Sequence, residues 1–161
     1  MAESTFENAN KSFTEWFCTN GGMISSKITF KDYSRENAGR GVVAVDDIEK
    51  DEVLFEIPRS LVLSPKTSSL ASKISSEEFQ ELYRNNRWFP LIICMMYESK
   101  NNNSLWKPYF DILPSEFNTP MFWNDVELDE LRGTGVIDKI GKDDAEKAFA
   151  DRLLPFIQVR K

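Results

Sequence analysis

Histidine is absent from all 161 residues. Its absence excludes Ser-His and Cys-His nucleophilic pairs and leaves a zinc site without its usual nitrogen ligands. Cysteine is nearly absent too. Cys18 and Cys94 are the only two, both in apolar helical contexts, which fits a reducing compartment and packing roles. A basic excess is missing: 20 Lys and Arg stand against 26 Asp and Glu, for a net charge of −6. With no basic stripe, nucleic-acid binding has no support, whereas an acidic surface suits a basic protein partner. The longest near-apolar run, residues 88–97, is too short to span a bilayer. Residues 1–10 are polar and lack the basic start and apolar stretch of a signal peptide, so they are expected to fray. No internal repeat or low-complexity tract is present.

What remains is enough to fold. Hydrophobic residues make up 41%, with twelve Phe and four Trp, and the length suits one domain or one and a half. The stretch 37–59 organises the chain. It opens with Gly39-Arg40-Gly41, read as a turn that lets backbone approach something closely. Two short β runs follow, 42–45 and 53–57, separated by the acidic turn 46–52. Alternation of Val53, Phe55 and Ile57 against Leu54 and Glu56 is a strand pattern, and Pro58 ends it. Taken alone, the Gly-x-Gly start is most simply the beginning of a hairpin. A strand follows it, so it is not a dinucleotide fingerprint, and it lacks the Gly-Lys-Ser/Thr ending of a phosphate loop.

Elsewhere the pattern is mainly helical. Ser12 with Glu15 reads as a capping box for a helix carrying Phe13, Trp16 and Phe17 on one face, stopped by Asn20-Gly21-Gly22. A short strand is expected over 27–30, and another over 61–63. Character changes at Ser64-Pro65. Residues 67–76 suit a capped short helix plus a loop, and this segment and the loop 101–103 are the expected first sites of protease cleavage. Residues 76–84 read as a helix with Phe79, Leu82 and Tyr83 inward. Pro90 stands near the start of a helix that is apolar on all sides over 91–96 and therefore buried. A helix over 105–112 starts through Pro108. Asn124 and Glu127 repeat the capping-box pattern, and Gly133 ends that helix. The last helix covers 144–157 and is expected to kink at Pro155.

Several segments, in order, resemble the SET-domain protein-lysine methyltransferases. They are Ala38-Gly39-Arg40-Gly41-Val42-Val43-Ala44, then residues 48–52, Ile57-Pro58, Trp88-Phe89-Pro90-Leu91 and Trp106-Lys107-Pro108-Tyr109-Phe110. Pro120-Met121-Phe122-Trp123, Leu131-Arg132-Gly133-Thr134-Gly135 and Leu154-Pro155-Phe156 complete the series. The subgroup is that of the Rubisco large-subunit methyltransferase. The Leu-x-Gly-Thr-Gly-like helix and the Leu-Pro-Phe ending favour its ribosomal-lysine and SET-domain-containing-six branch.

The resemblance implies an α+β fold: the N-terminal half of a SET domain, with short antiparallel strands, over residues 1–64, then a mainly helical SET insert over 65–161. It implies S-adenosyl-L-methionine as cofactor, lying against Ala38, Gly39 and Arg40, with Gly41 shaping the turn. It places Trp88 as a candidate for the substrate lysine channel, the plainer reading being a hydrophobic staple at the start of the Pro90 helix. It implies a lysine-bearing protein substrate, ribosomal or nuclear, and a nuclear or cytoplasmic location.

The family's Asn-His pair and catalytic tyrosine lie further along than the matched segments, and Tyr33, Tyr83, Tyr97 and Tyr109 are not in the matching context. No catalytic residue and no metal ligand is therefore assigned. The chain is expected to be a truncated form, inactive alone, whose strand face needs a covering partner. Lys50-Asp51 occupies a turn where relatives often carry Gly, and Asp tolerates the left-handed backbone such a turn needs. The readings left open are a cofactor-contacting part of a methyltransferase, a non-enzymatic adaptor derived from one, and an unrelated α+β domain.

Overall fold

The computed structural model describes residues 2–159, with side chains from Thr5 onward. Contacts divide it into two compact units, Met1–Leu113 and Pro114–Lys161. The change of composition at Ser64-Pro65 falls inside the first.

The first unit opens with α1, Ala2–Thr19. The helix begins well before Ser12, so the expected capping box there does not form and most of the polar stretch 1–10 is helical rather than frayed. Phe13, Trp16 and Phe17 do share a face. Their rings lie 5.7–6.3 Å apart, and Phe30 meets Phe13 edge-on at 5.9 Å. The helix stops at Asn20-Gly21-Gly22, where Gly22 has no room for a side chain: a Cβ would lie 2.4 Å from the Phe17 ring.

Two small antiparallel sheets follow. In one, β1 (Met23–Ile24) pairs with β4 (Phe55–Glu56). In the other, β2 (Ile28–Tyr33) pairs with β3 (Gly39–Ala44), Tyr33 opposite Gly39 and Ile28 opposite Ala44. Gly39-Arg40-Gly41 is thus the first half of a strand and not the turn. The turn is 34–38, closed by Asn37 in the left-handed region (φ 55°) and by the Ala38 amide donating to the Tyr33 carbonyl at 3.0 Å. Asparagine tolerates that conformation, which spared the chain a glycine there. The runs 42–45 and 53–57 lie in different sheets, and only Phe55–Glu56 of the second is strand. Asp51 adopts the expected left-handed backbone (φ 66°). The expected strand over 61–63 is absent: Arg59–Leu61 is a 3-10 turn.

The rest of this unit is helical. Ser69–Ser72 is a 3-10 turn capped by Ser68. Helix α2, Ser76–Asn85, begins with a complete capping box between Ser75 and Glu78. Leu82 is buried on it, but Tyr83 is 55% exposed and does not face inward. Helix α3, Phe89–Lys100, has Pro90 in its first turn, where no backbone donor is lost. Its burial is one-sided: Phe89, Pro90, Ile93, Cys94 and Glu98 are covered, while Ile92 and Met96 reach solvent. An all-apolar sequence left the buried face for packing to choose. Cys94 is buried and free, as expected; Cys18 is free but exposed, so it has no packing role. Helix α4 is a single turn, Lys107–Phe110, shorter than the expected 105–112.

In the second unit, α5 (Asp125–Asp129) carries the expected Asn124–Glu127 capping box. Helix α6 (Lys142–Ala148) runs through a π-helical turn, Phe149–Leu153, into α7 (Leu154–Gln158). Pro155 cannot donate to the carbonyl four residues back. The wider turn absorbs that misfit, so the expected perturbation takes the form of a π segment.

Candidate functional site

Strand β3 carries the candidate cofactor stretch. Gly39 has φ +65° and open space around the position of a Cβ, with nothing within 4 Å. Ala38 and Gly39 are exposed, and their backbone is therefore approachable. Gly41 differs. A Cβ there would lie 2.8 Å from the Tyr33 ring, so this glycine lets Tyr33 lie across the strand, where Lys31 Nζ stands 5.0 Å from the ring centre.

Arg40 turns its side chain inward, away from the exposed backbone. Its Nε donates to Asn10 Oδ1 at 2.7 Å, and Nη1 donates to the Ile112 carbonyl. The guanidinium also stacks on Phe6, 4.8 Å from the ring centre. Burial lowers its pKa, and Asp32, its partner across the sheet, pulls the other way. Arg40 thereby ties β3 to α1 and to the segment just after α4. What it can offer a ligand is backbone. Spacing placed Arg40 in the right stretch but could not reveal this tie, because its partners lie 30 and 72 residues away.

Trp88 lies apart from these residues in sequence, at the N-cap of α3. It is 67% exposed, and its amide donates to Asn86 Oδ1 at 2.9 Å. So exposed a ring contributes little as a staple. Among the described residues, no group of three or more His, Cys, Asp or Glu could hold a metal ion, and no helix is long and apolar enough to cross a membrane.

Sequence reasoning missed a tightly held buried carboxylate. Glu98, 1% exposed, accepts from Ser68 Oγ at 2.7 Å, Ser69 N at 2.7 Å, Ser69 Oγ at 2.8 Å and Ser104 Oγ at 2.5 Å. Burial pushes its pKa up, but the serine donors outweigh this together and the net shift is downward. Cys94, one turn earlier, is pushed up by burial and by the neighbouring Glu98 charge, so it stays a neutral thiol. A Glu in a helix that comes after a Ser-rich segment carries no periodic signal, and nothing in the sequence pointed to it.

A second feature is an apolar cavity of about 350 Å³ beside α1, whose lining includes Phe13, Trp16, Ile57, Leu61, Met95 and Trp106. Val42 of β3, Phe55 of β4 and, in the adjoining segments, Val45, Val53 and Ile57 are each at least 41% exposed; for Val53, Phe55 and Ile57 this is what the sequence led one to expect.

No protein-family model matches the chain. Among curated proteins, it is 39% identical over 158 residues to ribosomal lysine N-methyltransferase 4 of Saccharomyces cerevisiae, a match covering 95% of this chain and 32% of that protein. It is 37% identical over 122 residues to N-lysine methyltransferase setd6 of Xenopus laevis, covering 73% and 27% respectively. The chain belongs to the SET-domain protein-lysine methyltransferases. It spans about a third of the length of the yeast relative. The model matches the structure of Rubisco LSMT bound to sinefungin and monomethyllysine with a TM-score of 0.71 and 24% identity, covering 91% of this chain and 34% of that one. The structure of Rubisco LSMT bound to AdoMet matches with a TM-score of 0.68. These likenesses give the fold: helices with short antiparallel strands, arranged as in a SET domain.

Proposed function

We propose that this chain is part of an S-adenosyl-L-methionine-dependent protein-lysine N-methyltransferase, and that Ala38, Gly39 and Arg40 contribute its backbone contacts to the cofactor. The 39% identity over 158 residues to a ribosomal lysine N-methyltransferase carries the reading. The local geometry fits it: backbone at Ala38 and Gly39 is exposed, and Gly39 leaves open space where any side chain would project. The cofactor, when bound, supplies an activated methyl on its sulfonium. The protein's part is to hold that methyl in line with a neutral amine and to keep water away.

In this reading residues 1–64 supply the first part of the SET β-fold and 65–161 the helical insert. Trp88, exposed at the start of α3, lines the path of the substrate lysine. The substrate is a lysine-bearing ribosomal or nuclear protein, met in the nucleus or cytoplasm. The 161 residues offer one wall of the pocket and no Asn-His pair, so by themselves they transfer no methyl. The exposed apolar residues of the strands favour a covering partner for this chain. The same exposed face keeps a second reading in view, a non-enzymatic adaptor that retains the helical surface.

Saturation-transfer NMR with S-adenosylhomocysteine separates the two. The methyltransferase reading expects contact that is lost in Gly39→Val while the circular dichroism spectrum is kept. Absence of contact favours the adaptor, whereas equal contact in the variant overturns the placement of the cofactor against Gly39.

A further inference from the structure

Glu98 is a buried carboxylate with four donors and no cation among them. Such a group is costly to bury unless every lone pair is met. Here the donors come from two segments that have no sequence link to each other. Ser68 and Ser69 begin the 3-10 turn Ser69–Ser72. Ser104 begins the corner that leads into α4. Each segment depends on the carboxylate for its own geometry. Ser68 Oγ also accepts from the Leu70 amide at 3.2 Å, so the hydroxyl that caps the turn is the one held by Glu98. Ser104 Oγ accepts from the Trp106 amide at 3.2 Å while donating to Glu98. Trp106, 2% exposed, then donates its Nε1 to the Leu61 carbonyl at 3.0 Å. Leu61 and Trp106 both line the apolar cavity.

We propose that Glu98 is an anionic latch that makes the 68–74 turn, the 104–106 corner and the Leu61 wall of the cavity a single opening unit. One carboxylate serves both hydroxyl caps. Losing it leaves Ser69 and the buried hydroxyls of Ser68 and Ser104 without that acceptor, and the unit relieves this by opening as a whole. The latch also lies between the two parts of the proposed site. Helix α3 carries Trp88 at one end and Glu98 near the other, while α4 follows the Ser104 corner and is followed by Ile112, whose carbonyl Arg40 holds. The inference does not rest on the methyltransferase reading, since it concerns only packing within residues 1–113.

Native-state hydrogen exchange on the full chain tests it, with Ser104→Ala as the mild variant and Glu98→Gln as the strong one. Ser104→Ala removes a donor from the corner alone. The latch predicts that protection falls at the Leu70, Lys73 and Ile74 amides as well as at Trp106 and Val62. The expected fall is on the order of 10-fold, the loss of one buried charge-assisted bond. Amides of β2 and β3 keep their protection. If Ser104→Ala affects Trp106 and leaves Leu70 to Ile74 unchanged, the two segments open separately and the proposal fails. A uniform fall that includes β2 and β3 overturns it too, because Glu98 would then act through global stability. Should Glu98→Gln not fold, Ser68→Ala supplies the reciprocal test: it must loosen Trp106.

Discussion

The two units are built on different physics. Among the described residues, ten of the eleven buried hydrophobic side chains, from Phe17 to Trp106, lie in Met1–Leu113. Pro114–Lys161 contributes Leu153 alone and leaves Phe117, Phe122, Val126 and Val159 more than half exposed. What orders the second unit is local. Asn124 and Glu127 cap α5 reciprocally, Gly133 and Gly141 take the left-handed turns at φ 83° and 68°, and Trp123 Nε1 donates to Asn118 Oδ1 at 2.8 Å. The first unit instead joins residues far apart in sequence, through Arg40, Glu98 and Trp106. A segment with little core is held by interactions worth about 1 kcal/mol each, whereas burying a large side chain contributes two or three times that.

The contrast breaks most visibly at the largest side chains. Trp106→Ala should cost about 3–5 kcal/mol, since it leaves a cavity and strands the Leu61 carbonyl. Leu153→Ala should cost ~2–5 kcal/mol, yet its loss should be confined to helices α6 and α7. Urea denaturation followed by hydrogen exchange distinguishes them. If Leu153→Ala lowers protection in β2 and β3, the units are not separately stabilised.

Smaller, and specific to the first unit, is the acid limb. Glu98 titrates below its ordinary value when folded. Its contribution is therefore complete above the unfolded carboxylate value and lost as pH falls through the folded one. Glu98→Gln should be destabilised by about 1–3 kcal/mol at neutral pH and should show a flatter loss of stability under acid. A variant whose melting temperature falls with acid as steeply as that of the parent would show that Glu98 does not set this limb.

Smallest is the cap. Asn124→Ala should cost about 0.5–2 kcal/mol and act on α5 only, read as loss of protection at Leu128 and Glu130. No change there would mean that something other than capping orders the second unit.

Most of what the sequence made legible is short in range. The capping box predicted from Asn124 and Glu127, and Pro90 and Pro108 at their helix starts, involve groups within four residues of each other. The same is true of the left-handed Asp51. The Ser12–Glu15 box failed because the residues before it continue the helix, and an N-cap signal has no force inside one. The site was legible in part. Its segment was found through the family resemblance, but Gly39-Arg40-Gly41 was read as a turn because the true turn hides in Asn37, a residue with no need of glycine.

Composition alone removed histidine chemistry, and the order of short segments identified the family. It also marked the apolar strand residues that remain exposed. Tertiary structure decided which strands pair, which face of the all-apolar α3 is covered, and where Arg40 and Glu98 point. Those outcomes depend on partners 6 to 72 residues away, chosen by packing and by the need to satisfy buried polar groups, and neither leaves a periodic trace in the chain.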